Sequence, residues 1–377
     1  MIPFLLRAAA VLPRALYAVL KRTTKVNHNK VLFLSRMSDE IPLDFRLLIE
    51  ELERLDHSVE IRTVSRRYRG SFQGLLGFLI PALRALFHLA TARVCVLDSY
   101  WPHVSLLKHR SELTVFQVWH SLGKVKRSGH QTLGRPQGRN AQVSRAIRLH
   151  TGYDYIVAGA PTWNPYYVDS FGLSSEAPIL NLGLPRADYL RHERDAIAER
   201  IHSTYPEFRH RKVVLYAPTF RRGAQGSTSA HQLVNELDLE KYILIVKDHH
   251  NGSLIMPDNG VYDCPDFSSM ELLTVADFLV TDYSAIAIEA AVIDVKTFYY
   301  VYDLPYYTQT NGLNIDLEEE MPGCVYPTAS GVAQALEEPY PEEVLRSYKE
   351  KFTLPSSVRS ATSIVDALLT KGGLCHH

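Results

Sequence analysis

The chain has 377 residues, 46% of them apolar, 22% charged and 10% aromatic, with 41 basic against 41 acidic side chains. That length predicts roughly two to three domains and an ample core, and a composition without low-complexity tracts excludes intrinsic disorder, collagen and coiled-coil arrays. The neutral total conceals a polarity: 25 basic and 14 acidic residues lie up to Asp188, and 16 and 27 follow it.

Met1–Ser38, Ile61–Leu97 and Leu113–Tyr153 contain no Asp or Glu, while Lys and Arg recur in all three. Such segments attract anionic surfaces. Within the first, Phe4, Leu5, Val11, Leu12, Leu16, Val19 and Leu20 can share one helical face, with Arg7, Arg14, Lys21 and Arg22 opposite or flanking it. Arginines interrupt the apolar run, unlike a signal peptide, and no stretch of about 20 residues is free of charge, as a spanning helix needs. Phe72–Ala92 repeats the pattern, with a kink expected at Pro81. Both suit helices lying in an anionic membrane interface; amphipathic helices packed on the core are the alternative. Nucleic acid is not an expected partner, because aromatic interleaving and polar base-reading residues are missing.

Short apolar strands then alternate with helical patterns. The expected strands are Lys30–Leu34, Val59–Val64, Val94–Leu97, Thr114–Val118, Tyr155–Val157 and Ile179–Leu182, then, after a helix-like connector over Ala187–His202, Val213–Tyr216, Tyr242–Val246, Gly260–Tyr262, Phe278–Val280 and Thr297–Tyr300. Helices are expected at Leu43–Leu55, Met270–Ala276 and Ala285–Ile293, and a helical end over Tyr340–Leu369. This alternation predicts an α/β protein of two Rossmann-like lobes with parallel sheets facing a cleft. The expected division is a membrane-associating segment 1–28, an N-terminal lobe 29–188 and a C-terminal lobe 189–377 that includes the last helices.

Ligands of such sheets bind beyond the C-terminal strand ends, and the unusual residues stand there. Trp119-His120 ends one strand and is followed by Gly123 and the cations Lys124, Lys126 and Arg127. His120 suits proton abstraction near neutrality and the cations suit phosphate. Pro218-Thr219 follows another strand, with Arg221 or Arg222 able to clamp an anion. Lys247-Asp248-His249-His250 ends a third; a phosphate or acid–base role, a metal site and an inert polar turn all remain open. Thr281-Asp282-Tyr283-Ser284 runs from a strand into a helix, where Asp282 or Ser284 is either a structural cap or part of a diphosphate site. Glu289 on that helix meets polyol or ribose hydroxyls if it faces the cleft, and is surface charge otherwise. Cys95, Cys264, Cys324 and Cys375 lack metal-binding spacing, which suggests neither zinc nor disulfides and suits a reducing cytoplasm.

Taken in order, Leu34-Ser35-Arg36 with Leu43-Asp44-Phe45, Trp119-His120 with Gly123, Lys126 and Gly129, Gly183-Leu184-Pro185-Arg186 with Asp188, Tyr216 to Arg221, Thr281 to Ser284 with Glu289, and Phe298 to Leu304 with Tyr307 resemble the CDP-glycerol glycerophosphotransferase family of bacterial teichoic acid and capsule synthesis. The resemblance runs from about Val31 to Val325. It implies a GT-B fold, peripheral attachment to the cytoplasmic face of the cell membrane, and transfer of glycerol phosphate from CDP-glycerol to a hydroxyl of a polyprenyl-diphosphate-linked saccharide. It implies His120 as general base and His249 as a second essential histidine. It also implies Thr219, Arg221, Asp282, Tyr283, Ser284 and Glu289 as donor-binding residues.

Three departures from the family pattern are Ser121, Ala285 and the segment Asn311-Gly312-Leu313-Asn314. The last two leave the polyol open between glycerol and ribitol. A chain consisting of the two lobes resembles a primase more than a polymerase. Such chemistry is positioning and electrostatics, so no cofactor is required. Two other readings are a GT-B glycosyltransferase using a nucleotide sugar and an inert membrane-binding scaffold.

Overall fold

A computed structural model describes residues 10–67, 72–219, 225–247 and 259–374. Phe4, Leu5, Arg7, Arg221, Arg222, Asp248, His249, His250 and Cys375 lie outside these. The chain forms two compact units. One comprises the described residues of Met1–Ser121, Ser128–Arg186 and Ser356–His377; the other comprises Leu122–Arg127 and Ala187–Pro355.

The first unit is a six-stranded parallel sheet of β1 (Lys30–Ser35), β2 (Glu60–Ser65), β3 (Val94–Leu97), β4 (Thr114–Gln117), β5 (Tyr155–Ala158) and β6 (Ile179–Asn181), in the order β2-β1-β3-β4-β5-β6. Val31 to Leu34 and Val94 to Leu97 are buried on both alternating faces. That explains their uninterrupted apolar sequence, since parallel strands are covered on both sides. Helix Leu43–Leu55 forms where expected, turning Phe45, Leu48 and Leu52 inward at helical spacing. Its Phe45 ring meets Phe33 of β1 at 5.1 Å.

The last helix, Ser360–Thr370, packs against helix Leu43–Leu55, where the Thr362 hydroxyl donates to Glu51 Oε1 at 2.7 Å. The chain end therefore returns to the first unit, although the expected division kept residues 189–377 in the second lobe. Helix Glu342–Phe352 stays in the second unit.

Helix Val11–Thr23 packs on helix Phe72–Thr91. The single apolar face expected for it is divided: Leu16, Tyr17 and Leu20 turn inward, while Val11, Leu12 and Val19 are 61%, 77% and 53% exposed. The partner helix exposes Leu79, Ile80, Leu83 and Phe87, and continues through Pro81. Among the described residues no helix is long and apolar enough to cross a membrane.

The second unit is also a six-stranded parallel sheet: β7 (Lys212–Tyr216), β8 (Tyr242–Val246), β9 (Val261–Tyr262), β10 (Phe278–Thr281), β11 (Lys296–Tyr300) and β12 (Val325–Tyr326). The order is β12-β11-β10-β7-β8-β9. Numbered from β7, this is 3-2-1-4-5-6, the order of dinucleotide-binding lobes. The connector becomes helices Pro185–His192 and Arg194–Thr204.

Candidate active site

In an open parallel sheet the ligand crevice forms where the strand order reverses. In the first unit that point lies between β1 and β3. Ser35 ends β1 and donates its hydroxyl to Asp98 Oδ2 at 2.5 Å, and Ser99 donates to Asp98 Oδ1 at 2.8 Å. Asp98 is buried, and burial raises its carboxyl to about 6 although those hydrogen bonds oppose the shift.

The Asp98 carbonyl lies 2.9 Å from His120 Nδ1. A carbonyl only accepts, so Nδ1 carries the proton and Nε2 is the basic nitrogen. The ring of Trp119 lies 4.1 Å from that of His120 and 5.2 Å from Phe171. Trp119 holds φ at 60°, an unfavourable conformation for a bulky side chain. Its backbone N–H donates to Gln117 Oε1 at 3.0 Å, and Gln117 Nε2 donates to the Ser99 carbonyl at 3.2 Å. The imidazole is thus held from two strands and by a backbone turn.

Two pieces of the motif set prove structural. Gly129 has φ 57°, and a Cβ there would stand 2.1 Å from the Ser170 carbonyl oxygen. Buried Asp44 takes Arg186 Nε at 2.8 Å and Nη2 at 2.5 Å on Oδ2, and the Arg186 backbone N–H at 2.9 Å on Oδ1. This bidentate pair joins segments 142 residues apart at the start of helix Pro185–His192.

In the second unit the reversal lies between β7 and β10. Pro218 and Thr219 follow β7, and Asp282, Tyr283 and Ser284 follow β10. Asp282 Oδ1 accepts from the backbone N–H of Thr219 at 2.7 Å and of Tyr283 at 2.5 Å, so one buried carboxylate joins the two strand ends. The Thr281 hydroxyl adds a bond to the Ala217 carbonyl at 2.7 Å. The expected capping role of Asp282 or Ser284 is corrected. Helix Ile286–Val292 has Ala285 at its N-cap without a side-chain cap, and Ser284 Oγ only reaches the Ile286 N–H at 3.5 Å. At seven residues its opposite pole is close, which weakens the field at its start. Tyr283 stacks on Tyr307 at 4.1 Å and donates to Asp303 Oδ1 at 3.0 Å. Glu289 is buried, which removes the surface-charge alternative.

The run after His120 is divided between the units. His120 and Ser121 belong to the first, while Leu122 to Arg127 belong to the second. Gly123 is buried in this strip. Lys124 is buried too, which lowers its pKa far below the usual lysine range. Lys126 Nζ donates to Thr219 Oγ1 at 3.4 Å, and Arg127 Nε donates to the Leu313 carbonyl at 3.1 Å. Lys247 turns its ammonium to the carbonyls of Asp263 at 3.0 Å and Cys264 at 3.1 Å, holding the end of β9. Among the described residues, no group of three or more His, Cys, Asp or Glu side chains could hold a metal ion. Asp98 and Ser99 had carried no functional signal in the sequence, because Asp98 gains its part through Ser35 and His120, which lie far along the chain.

A family model for the CDP-glycerol:poly(glycerophosphate) glycerophosphotransferases matches residues 16–370. The chain is 27% identical to a teichoic acid ribitol-phosphate primase of Bacillus spizizenii, over 94% of this chain and 95% of the relative. It is 24% identical to a teichoic acid glycerol-phosphate primase of Bacillus subtilis, over 85% and 87%. The structure of the wall teichoic acid polymerase TagF superposes with a TM-score of 0.74 at 18% identity, over 98% of this chain and 97% of that one. The UDP-bound structure of S. aureus MnaA superposes at 0.59 with 14% identity, over 92% and 98%. At these identities the two structures show a shared fold of two Rossmann-like lobes.

Proposed function

The chain belongs to the CDP-glycerol:poly(glycerophosphate) glycerophosphotransferase family, and on that premise we propose that this enzyme transfers glycerol phosphate from CDP-glycerol to a hydroxyl of a polyprenyl-diphosphate-linked saccharide. His120 Nε2 takes the proton of the acceptor hydroxyl. The hydroxyl oxygen bonds to the polyol-bearing phosphorus, the bond from that phosphorus to the bridging oxygen breaks, and CMP leaves with the bridging oxygen. Stabilising the charge on the phosphates falls to Thr219 and Lys126 and, from the sequence motifs alone, to Arg221 and His249. The observation that carries this reading is the corner of Thr219, Lys126 and Asp282 at the strand reversal of a dinucleotide-type sheet. A hydroxyl and an ammonium at a strand reversal support the reading, because lobes of this order take pyrophosphate at that point.

Ribitol phosphate is the second reading, supported by similarity to a ribitol-phosphate primase along nearly the full length of both chains. A panel of CDP-glycerol, CDP-ribitol and nucleotide sugars, supplied with lipid-linked acceptor, separates the readings by the mass of the released nucleotide and the donor consumed. CMP is expected. A nucleoside diphosphate released from a sugar nucleotide instead sinks phosphate transfer.

The proposal includes peripheral attachment to an anionic membrane. Its support is the exposure of Leu12, Val19, Leu79, Ile80, Leu83 and Phe87 on two helices that also carry Arg22 and Arg84, in segments without carboxylates. Sedimentation with phosphatidylglycerol vesicles is expected, to weaken with salt, and to be lost when Leu12 and Ile80 become Ser. Equal binding to neutral vesicles at high salt speaks against it.

A further inference from the structure

The segment Asn311 to Asn314 departs from the family pattern, and the sequence suggested that it alters the polyol. Its contacts tie it to the run after His120. Helix Leu304–Thr310 ends where the N–H groups of Asn311 and Gly312 both donate to the Tyr307 carbonyl at 2.9 Å. Gly312 then takes φ 90°, which turns the chain out of the helix at no Cβ cost. The chain continues antiparallel to the strip of Lys124 to Arg127, with Lys126 paired to Leu313.

Arg127 N–H donates to the Gly312 carbonyl at 3.0 Å and Asn314 N–H to the Val125 carbonyl at 2.9 Å. The Asn314 side-chain amide donates to the carbonyls of Lys124 at 2.7 Å and Lys126 at 3.3 Å. The Asn311 amide reaches the Arg127 carbonyl at 3.2 Å.

The two carbonyls that the Asn314 amide grips flank Val125 and include that of Lys126 itself, so one side chain ties down the backbone from which the Lys126 ammonium projects.

We propose that Asn314 is a positioning residue for phosphate binding, fixing the backbone that holds the Lys126 ammonium against Thr219. This rests on the reading that the corner of Lys126 and Thr219 takes the diphosphate of a nucleotide donor.

The test uses the full chain and CDP and UDP as calorimetric probes, because both contain the diphosphate that a CDP-polyol or a sugar nucleotide would present. Asn314→Leu and Asn314→Asp are expected to weaken CDP binding by about tenfold or more, the size of a lost charged hydrogen bond. The melting temperature should stay near that of the wild type. Lys126→Met should weaken binding similarly, and Asn314→Leu added to it should weaken binding no further, since Asn314 acts through Lys126.

CDP affinity within twofold of wild type in both Asn314 variants overturns the proposal. So does a loss additive to that of Lys126→Met, a loss that tracks a fall in melting temperature, or a wild-type chain that binds neither probe. A wild-type chain that binds CDP through this corner yet consumes no CDP-polyol leaves the positioning role standing and removes the proposed reaction.

Discussion

Both units are six parallel strands, yet their order reverses at different strands and different chemistry stands at each reversal. The first holds an imidazole oriented by a backbone carbonyl, beside a buried carboxyl and a wall of aromatic rings. The second holds an ammonium against a hydroxyl, beside two backbone N–H groups tied together by one carboxylate. The sheet decides where a site can form, and the two or three residues after each strand decide what it does. One end suits moving a proton and the other suits holding phosphate.

The sharpest way to break this division is His120→Ala. It should lower kcat by about 10²–10⁴-fold, the usual contribution of a general base, while CDP affinity stays unchanged. If affinity falls as far as kcat, the two tasks are not separate.

Arg186→Met strands the buried Asp44 carboxylate and should cost the first unit about 3–5 kcal/mol in denaturant unfolding. A cost under about 1 kcal/mol would show that the pair does not brace that unit.

Asp98 carries a pH signature. Its folded pKa of about 6 is above the ordinary 3.8, so its contribution to stability is fully present below about pH 4 and is lost as pH rises through 6. The shift corresponds to roughly 3 kcal/mol. Asp98→Asn removes this dependence, so the variant should gain on the wild type between pH 4 and 7 in thermal unfolding. A constant difference across that range would place the ionised carboxylate in no strain. The smallest effect is expected from Tyr283→Phe, which removes the bond to Asp303 and should cost about 1 kcal/mol, measured by denaturant unfolding, with little change at His120.

Much of the architecture was legible along the chain. Strands such as Val94–Leu97 and Tyr242–Val246 read directly, because a strand buried on both faces is an apolar run between polar ends. The two-residue β12 escaped notice, since Val325 and Tyr326 have no pattern of their own and are strand only by pairing with Tyr299 and Tyr300. The reversal order was equally hidden, because nothing in β7 says that it will lie between β8 and β10.

The candidate site divides in the same way. His120, Thr219 and Asp282 stand out because polar residues after an apolar strand have few structural excuses. The grip of Asp282 on Thr219, of Asp44 on Arg186 and of Asn314 on the strip after His120 spans long loops. Such bonds depend on direction and distance, which sequence spacing does not carry.

The sequence by itself determined the strand and helix alternation, the polarity of charge and the residue types at the strand ends, because burial and periodicity act locally. Only the tertiary structure decided that the run after His120 leaves its own unit and that the last helix returns to the first core. Those choices rest on hydrogen bonds and packing between segments far apart in the chain, where register and reach select among partners that the sequence leaves equal.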